Sequence, residues 1–262
     1  MSEVLRLSAV REEAFPAEWY DLSDPSHFWF RWRMRVLRRA LRKAGAPTSS
    51  PLRVLEVGCG SGVLARQLEE ATAWTVDGTD LNLPALERCR PRRGKTLYYD
   101  VTEEHPALCE QYDAVVLFDI LEHLALPRPL LGSAVRHLKP GGLLLVNVPA
   151  LPSLKSAYDR AAGHLRRYTR SSLAEELSGL GLEERVLLYW GLSLVPLLLL
   201  RKALLARGAE RVIERGFRPP LPGVNGLLRG LSVLETSLCP DPPLGTSAMY
   251  VGRRPGGERP GP

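Results

Sequence analysis

"VLEVGCGSG", Val54 to Gly62, runs an apolar strand directly into three glycines at alternate positions. Bare backbone lets a chain turn sharply and lets a ligand approach its amides with no Cβ in the way. The residues that follow, "SGVLARQLEEA", carry helical spacing. The glycines therefore lie between a strand and a helix N-terminus, where unpaired amides make an anion- and nucleotide-receptive crevice. A second signal is Asp80, which closes the next strand in "VDGTD". A carboxylate there can accept both hydroxyl protons of a ribose. The two features together are far more specific than the glycines alone.

Working outward, strands and helices alternate. "RVLEVG", "WTVDGTDL", "KTLYYDV", "YDAVVLFDIL" and "LLLVNVP" read as strands. Between them "SGVLARQLEEA", "LPALERCR" and "RPLLGSAVRHL" read as helices, the last ended by "KPGG". This order predicts an α/β fold with right-handed crossovers and a parallel sheet covered by helices on both faces. Beyond Pro152, "RSSLAEELSGLGL" is a helix with a serine cap and a glycine stop. "EERVLLYW" and "TSAMYVGRR" suit two more strands. Between those two lie "LVPLLLLRKALLARG" and "GLLRGLSVLETSL", helical stretches separated by "GFRPPLPGVNG". The expected organisation is a helical lead-in over residues 1–50, a core over 51–190, a helical insertion over 191–245, and a last strand with a disordered tail over 246–262. An insertion of that length is usually functional or a subunit contact.

The chain has 262 residues, 45% apolar and 24% charged, as an ordinary globular protein does. A net charge of +6 permits a nucleic-acid partner without demanding one, and DNA is not expected. "RWRMRVLRRALRK", Arg31 to Lys43, reads as the solvated face of an amphipathic helix with Met34, Leu37 and Leu41 turned inward. Cys59, Cys89, Cys109 and Cys239 lack metal-like spacing, so reduced thiols and no metal are expected. The first residues carry charges where a signal peptide needs an apolar core. "VLLYWGLSLVPLLLL", Val186 to Leu200, falls short of the ~20 residues that cross a bilayer. A cytoplasmic protein is expected, with contact at a membrane surface left open.

The glycine run reads G-C-G-S-G-V, which departs from the dinucleotide pattern G-x-G-x-x-G by placing the third glycine one position early. Glu56, just before the turn, would sit badly beside a pyrophosphate but well beside a sulfonium or ammonium group. Here the sequence resembles the class I S-adenosylmethionine-dependent methyltransferases, whose first motif has the form V/L-L-D/E-x-G-x-G-x-G. The resemblance continues along most of Pro25 to Leu182. Asp80 with Leu81 matches the ribose-binding acid, and Asp100 with Val101 in "YYDVTE" matches the position near the adenine. "YDAVVLFDILEHL" and "LKPGGLLLVNVP" are similar to consecutive motifs of the ubiquinone-biosynthesis-like branch. "HFWFRWR" and "GHLRRYT" resemble flanking segments of the same family. The resemblance implies a Rossmann-like, seven-stranded, mostly parallel sheet with an antiparallel last strand, and S-adenosylmethionine as cofactor. It also implies that Glu56, Gly58, Cys59, Gly60, Ser61 and Gly62 surround the donor, with Phe118, Asp119 and Ile120 beside its methionine portion.

Several residues carry two readings. Glu56 is either a ligand of the cofactor or a buried acid paired with a basic group. Cys59 suits a small turn residue better than a nucleophile. Asp100 is also a common turn-former. Asp119, Glu122 and His123 fall at the carboxyl end of a strand, where open sheets bind ligands. His123 is either a general base or the residue that orders its loop. His164 and Tyr168 flank Arg166 and Arg167 and either touch substrate or pack a surface loop. Trp29 and Arg33 either close over the cofactor or pack with a snorkelling rim.

Methyl transfer needs a base only if the acceptor must lose a proton. The segment "FDILEHL" lacks the N/D-P-P-Y/F pattern of amino-group methylation. The leucine-rich insertion, with Arg201, Arg207, Arg211, Arg215 and Arg218, suits either a lid over an apolar acceptor or a homo-oligomer interface. The expected function is methylation of a small-molecule or lipid-like acceptor. Methylation of RNA or protein, and cofactor binding without catalysis, are the alternatives.

Overall fold

Alternate residues of the central strands point to opposite faces of one sheet, as a period of two requires. The computed structural model describes residues 4–10, 24–205 and 221–256. Its strands are β1 (Val4–Arg6), β2 (Arg53–Val57), β3 (Thr75–Asp80), β4 (Thr96–Tyr98), β5 (Tyr112–Phe118), β6 (Leu138–Pro149), β7 (Glu183–Trp190) and β8 (Ser247–Arg253). Its helices are α1 (Phe28–Lys43), α2 (Val63–Ala71), α3 (Leu83–Arg88), α4 (Pro127–His137), α5 (Ala157–Ala161), α6 (Arg170–Leu177), α7 (Val195–Leu205) and α8 (Pro222–Leu238).

Val54, Val76, Val116, Leu145 and Val251 form one core with α1 and α2. Leu55, Val115, Leu117 and Leu144 form a second with α4 and α6 on the other face. Met34, Leu37 and Leu41 are buried, as the helical spacing requires. The strand order is β1-β4-β3-β2-β5-β6-β8-β7. β8 is antiparallel to both neighbours, and the other pairings are parallel. The order reverses between β2 and β5, so their carboxyl ends open the crevice in which such sheets bind ligands.

Four expectations need correction. Among the described residues the sheet has eight strands rather than seven, because Val4–Arg6 pairs with β4. The lead-in is therefore helical only over Phe28–Lys43 among the described residues, and three residues are too few to show a strand period. The cap of α6 is Thr169, two residues before the first serine. Its hydroxyl accepts from the Ser172 amide, and the Ser172 hydroxyl accepts from the Thr169 amide. "KPGG" does not merely end a helix. It bulges within β6, where Tyr112 faces Leu138 but Ala114 faces Leu143. Finally, α8 begins at Pro222, inside the stretch expected to be a break between helices, because proline suits a first helical turn. Arg207, Arg211, Arg215 and Arg218, with the whole of 206–220, and the tail 257–262 lie outside the described residues. Among the described residues no helix is long and apolar enough to cross a membrane.

One buried carboxylate fastens the insertion to the sheet. Glu235 on α8 accepts from the amides of Gly191 (2.8 Å), Leu192 (3.0 Å) and Ser193 (2.7 Å), and from the Ser193 hydroxyl (2.6 Å). Glu235→Ala strands these donors, and a loss of about 2–4 kcal/mol is expected. A lower urea midpoint checks it, with Glu235→Gln falling between.

Candidate active site

β2 ends at Val57, and the chain turns into α2 through Gly58 (φ 69°), Gly60 (φ 51°) and Gly62 (φ 75°). A Cβ on Gly58 would lie 2.1 Å from Ile120 Cδ1, and one on Gly62 would lie 2.4 Å from Cys89 Sγ. Left-handed backbone and lack of space together demand glycine at these two positions. The turn is tied to β3. Gly58 and Cys59 donate to the Thr79 carbonyl at 2.7 and 3.0 Å. The Gly60 amide donates to Asp80 Oδ2 at 2.8 Å, and the Asn82 amide donates to Oδ1 at 2.9 Å. Asp80 thus stands at the turn, beside exposed Leu81 and half-buried Ser61. Cys59 is buried against Cys89, which fits a turn residue.

Glu56 is buried, and its Oε2 has no hydrogen-bond partner. Burial and then Cys89 push its carboxyl well above the ordinary range, with Arg33 pulling the other way. Arg33 itself pairs elsewhere, through Nη1 to Asp119 Oδ2 at 2.5 Å. It is buried rather than snorkelling, and its guanidinium packs over the rings of Trp29 and Phe118 at 4.8 and 5.2 Å. Asp119 follows β5 with a positive φ of 60°. Its Oδ1 accepts from Asn147 Nδ2 (2.8 Å), and Asn147 Oδ1 accepts from Trp190 Nε1 (3.0 Å). Arg33, Glu56, Asp119 and Ile120 therefore gather around the glycine turn. Asp100 Oδ1 accepts from the Thr102 amide and hydroxyl at 2.9 and 2.6 Å, as in a turn. Val101 beside it is buried in the core.

A second group adjoins the first. His123 and His164 meet edge to face with centroids 4.9 Å apart. Asp159, fully buried on α5, lies 3.1 Å through Oδ1 from His164 Nδ1 and accepts from Arg167 Nε at 2.7 Å. Its Oδ2 accepts from the Ser156 amide at 2.8 Å. Burial opposes its ionisation, but the hydrogen bond with His164 and the charge and hydrogen bond of Arg167 carry its carboxyl well below the ordinary range. Burial, and then His164, lower His123 to about 4, so it is a weaker base than the sequence suggests. Glu122 is buried with neither carboxyl oxygen hydrogen-bonded, Oε1 lying 4.0 Å from His164 Nε2, and burial pushes its carboxyl well up. Although no metal is expected from the sequence, Glu122, His123 and His164 offer ligand atoms within 4.8 Å of one another, a spacing that could hold a cation. Tyr168 is buried, its hydroxyl donating to the Leu121 carbonyl at 3.3 Å, and Arg166 reaches the Ala125 carbonyl. Those contacts make them loop-packing residues.

Residues 28–185 match the family profile described as a methyltransferase domain. The chain belongs to that family. Its motifs and sheet place it among the class I S-adenosylmethionine-dependent methyltransferases, whose cofactor is S-adenosylmethionine. A ubiquinone biosynthesis O-methyltransferase of Dinoroseobacter shibae is 33% identical over 146 residues, covering 51% of this chain and 59% of that protein. One of the same description from Pseudomonas savastanoi is 31% identical over 153 residues, or 54% of this chain and 62% of that one. The chain thus spans about six-tenths of the length of these curated relatives. A putative sarcosine dimethylglycine methyltransferase of Galdieria sulphuraria shares the fold, with a TM-score of 0.57, 16% identity and 85% of each chain covered.

The residues present fit the cofactor. The cradle at Gly58 and Gly62 has no room for a Cβ, and Glu56 aims an orphaned oxygen beside it. Asn147, Asp159 and Trp190 were not among the residues singled out from sequence. Asn147 is the lone polar residue in "LLLVNVP", which is the signal that could have found it.

Proposed function

We propose that the chain transfers the methyl group of S-adenosylmethionine to a hydroxyl of a small, apolar acceptor. On this reading Glu56, Gly58, Gly60, Asp80 and Asp119 hold the donor, and His164 takes the acceptor's proton. Bound S-adenosylmethionine supplies an activated methyl on a good leaving group. The protein's share is to align the acceptor, exclude water and receive one proton. The observation that carries the reading is the Asp159–His164 pair. A buried carboxylate at 3.1 Å fixes the ring and stabilises the imidazolium that forms on proton uptake. The printed description of the relatives, O-methyltransferase, favours oxygen as the acceptor atom. Arg33 and Asn147 have a positioning role, since both hold the Asp119 carboxylate. Among the described residues, α7 and α8 lie between β7 and β8 along the chain.

Label transfer from S-adenosylmethionine to catechols and phenols with apolar tails of increasing length tests this. His164→Ala is expected to lower turnover by about 10²–10⁴-fold with cofactor affinity unchanged. Undiminished turnover in that variant removes the base assignment. Label entering only RNA or protein removes the acceptor class.

A further inference from the structure

α8 carries much of its apolar surface outward. Three of its polar residues face the protein. Asn225 Oδ1 accepts from the Phe28 amide, Ser232 Oγ accepts from Arg35 Nη1, and Glu235 serves the turn after β7. Leu228 packs against the core, but most of the other apolar residues face solvent. Val224, Leu227, Leu234 and Leu238 are 46%, 72%, 55% and 76% exposed, and the half-buried Leu231 completes a three-four spacing down one side. On α7, which adjoins the same turn at Leu192–Leu194, Leu197, Leu199 and Leu200 are exposed as well. Single exposed leucines need no explanation, but a stripe along one helix with three more leucines exposed on a second helix at the same turn does.

The flank of that stripe decides what covers it. Phe28 meets Asn225 and Arg35 meets Ser232, so α1 and α8 run parallel and in step. Arg31, Arg35, Arg38 and Arg42 recur at helical spacing along α1, and Arg31, Arg38 and Arg42 are exposed. Arg229 on α8 lies near enough to Arg35 to repel it. α1 and α7 contain no acidic residue, and the single carboxylate of α8 is the buried Glu235. A twofold contact through this face would therefore set two rows of arginines together with no carboxylate from these helices between them. An apolar stripe beside uncompensated cations complements a bilayer whose headgroups are anionic.

We propose that α1, α7 and α8 form a docking face for an anionic lipid surface, with the leucines of α8 entering the headgroup boundary beside the α1 arginines. The proposal is independent of the methyl-transfer reading. Flotation of the full chain with phosphatidylcholine vesicles, with and without about 30 mol% phosphatidylglycerol, tests it. The chain is expected to float with the anionic vesicles and remain behind with pure phosphatidylcholine. Leu227→Asp with Leu234→Asp is expected to reduce vesicle partitioning by about tenfold or more. Both positions are exposed, so helical circular dichroism and cofactor titration should match the parent. Arg38→Glu with Arg42→Glu should weaken binding to anionic vesicles by about tenfold. The proposal is overturned if the parent ignores anionic vesicles or if the aspartate variant floats equally well. It is also overturned if the parent is a dimer that the aspartates split, which would make the face a contact with a second copy.

Discussion

Asp80→Ala is expected to weaken S-adenosylmethionine binding by about a hundredfold or more, the largest loss of affinity from any single change in the chain. The carboxylate stands at the end of β3, where the Gly60 amide reaches Oδ2 at 2.8 Å and the Asn82 amide reaches Oδ1 at 2.9 Å. It therefore shapes the glycine turn, and on the proposed reading it also offers acceptors to ribose hydroxyls. Hydrogen bonds to a charged group contribute about 1.5–3 kcal/mol each, and losing two of them corresponds to two decades or more. Calorimetric titration measures this directly. Asp80→Asn separates the two duties, because an amide oxygen still accepts from the turn but lacks the charge that strengthens bonds to a ribose. It should bind between the parent and Asp80→Ala. Unaltered affinity in Asp80→Ala would remove the glycine turn and its partner as the donor site.

The meeting of the glycine turn and Asp80 is legible because both features are local in sequence. Gly58 to Gly62 and Asp80 announce themselves through glycine spacing and strand ends, and adjacent parallel strands bring them together automatically. The alternating strands gave the two-faced core for the same reason. What stayed hidden depends on contacts distant along the chain. Arg33 reads as one more basic residue of an arginine-rich helix, and its burial against Asp119 arises only when α1 packs on the sheet. Asp159 looks like a residue of a helix start, and so it is, but its second oxygen is committed to His164 and Arg167. His123 illustrates the converse. Its sequence position suggests a base, whereas burial and a neighbouring imidazole depress its basicity. β1 was missed because three residues carry too little pattern to outweigh their surroundings. α8 followed the expected helical period, but period alone does not say which face is covered.

Asp159→Asn should separate stability from turnover at the second group. Asp159 has no exposed side-chain area, and Arg167 has 8%. Neutralising one partner of a buried pair leaves the other charge uncompensated, which costs about 3–5 kcal/mol at neutral pH. The sign of the pH dependence follows from the lowered carboxyl. An aspartate that ionises more readily in the folded chain stabilises it above its unfolded value, about 3.9. That contribution is lost as pH falls through the carboxylate range toward the folded value. Urea midpoints of parent and variant should therefore lie far apart at pH about 7 and converge in acid below about 4. A gap that stays constant through that range would mean the ion pair is not its source. Turnover should fall as well, by about a hundredfold or more, because His164 loses the carboxylate that fixes its ring and stabilises its protonated form. Cofactor affinity, which depends on the glycine turn, should be unchanged in the fraction that folds. A variant that loses stability yet retains full turnover would assign Asp159 to the architecture of α5 alone, and would leave His164 without the partner on which its role as base rests.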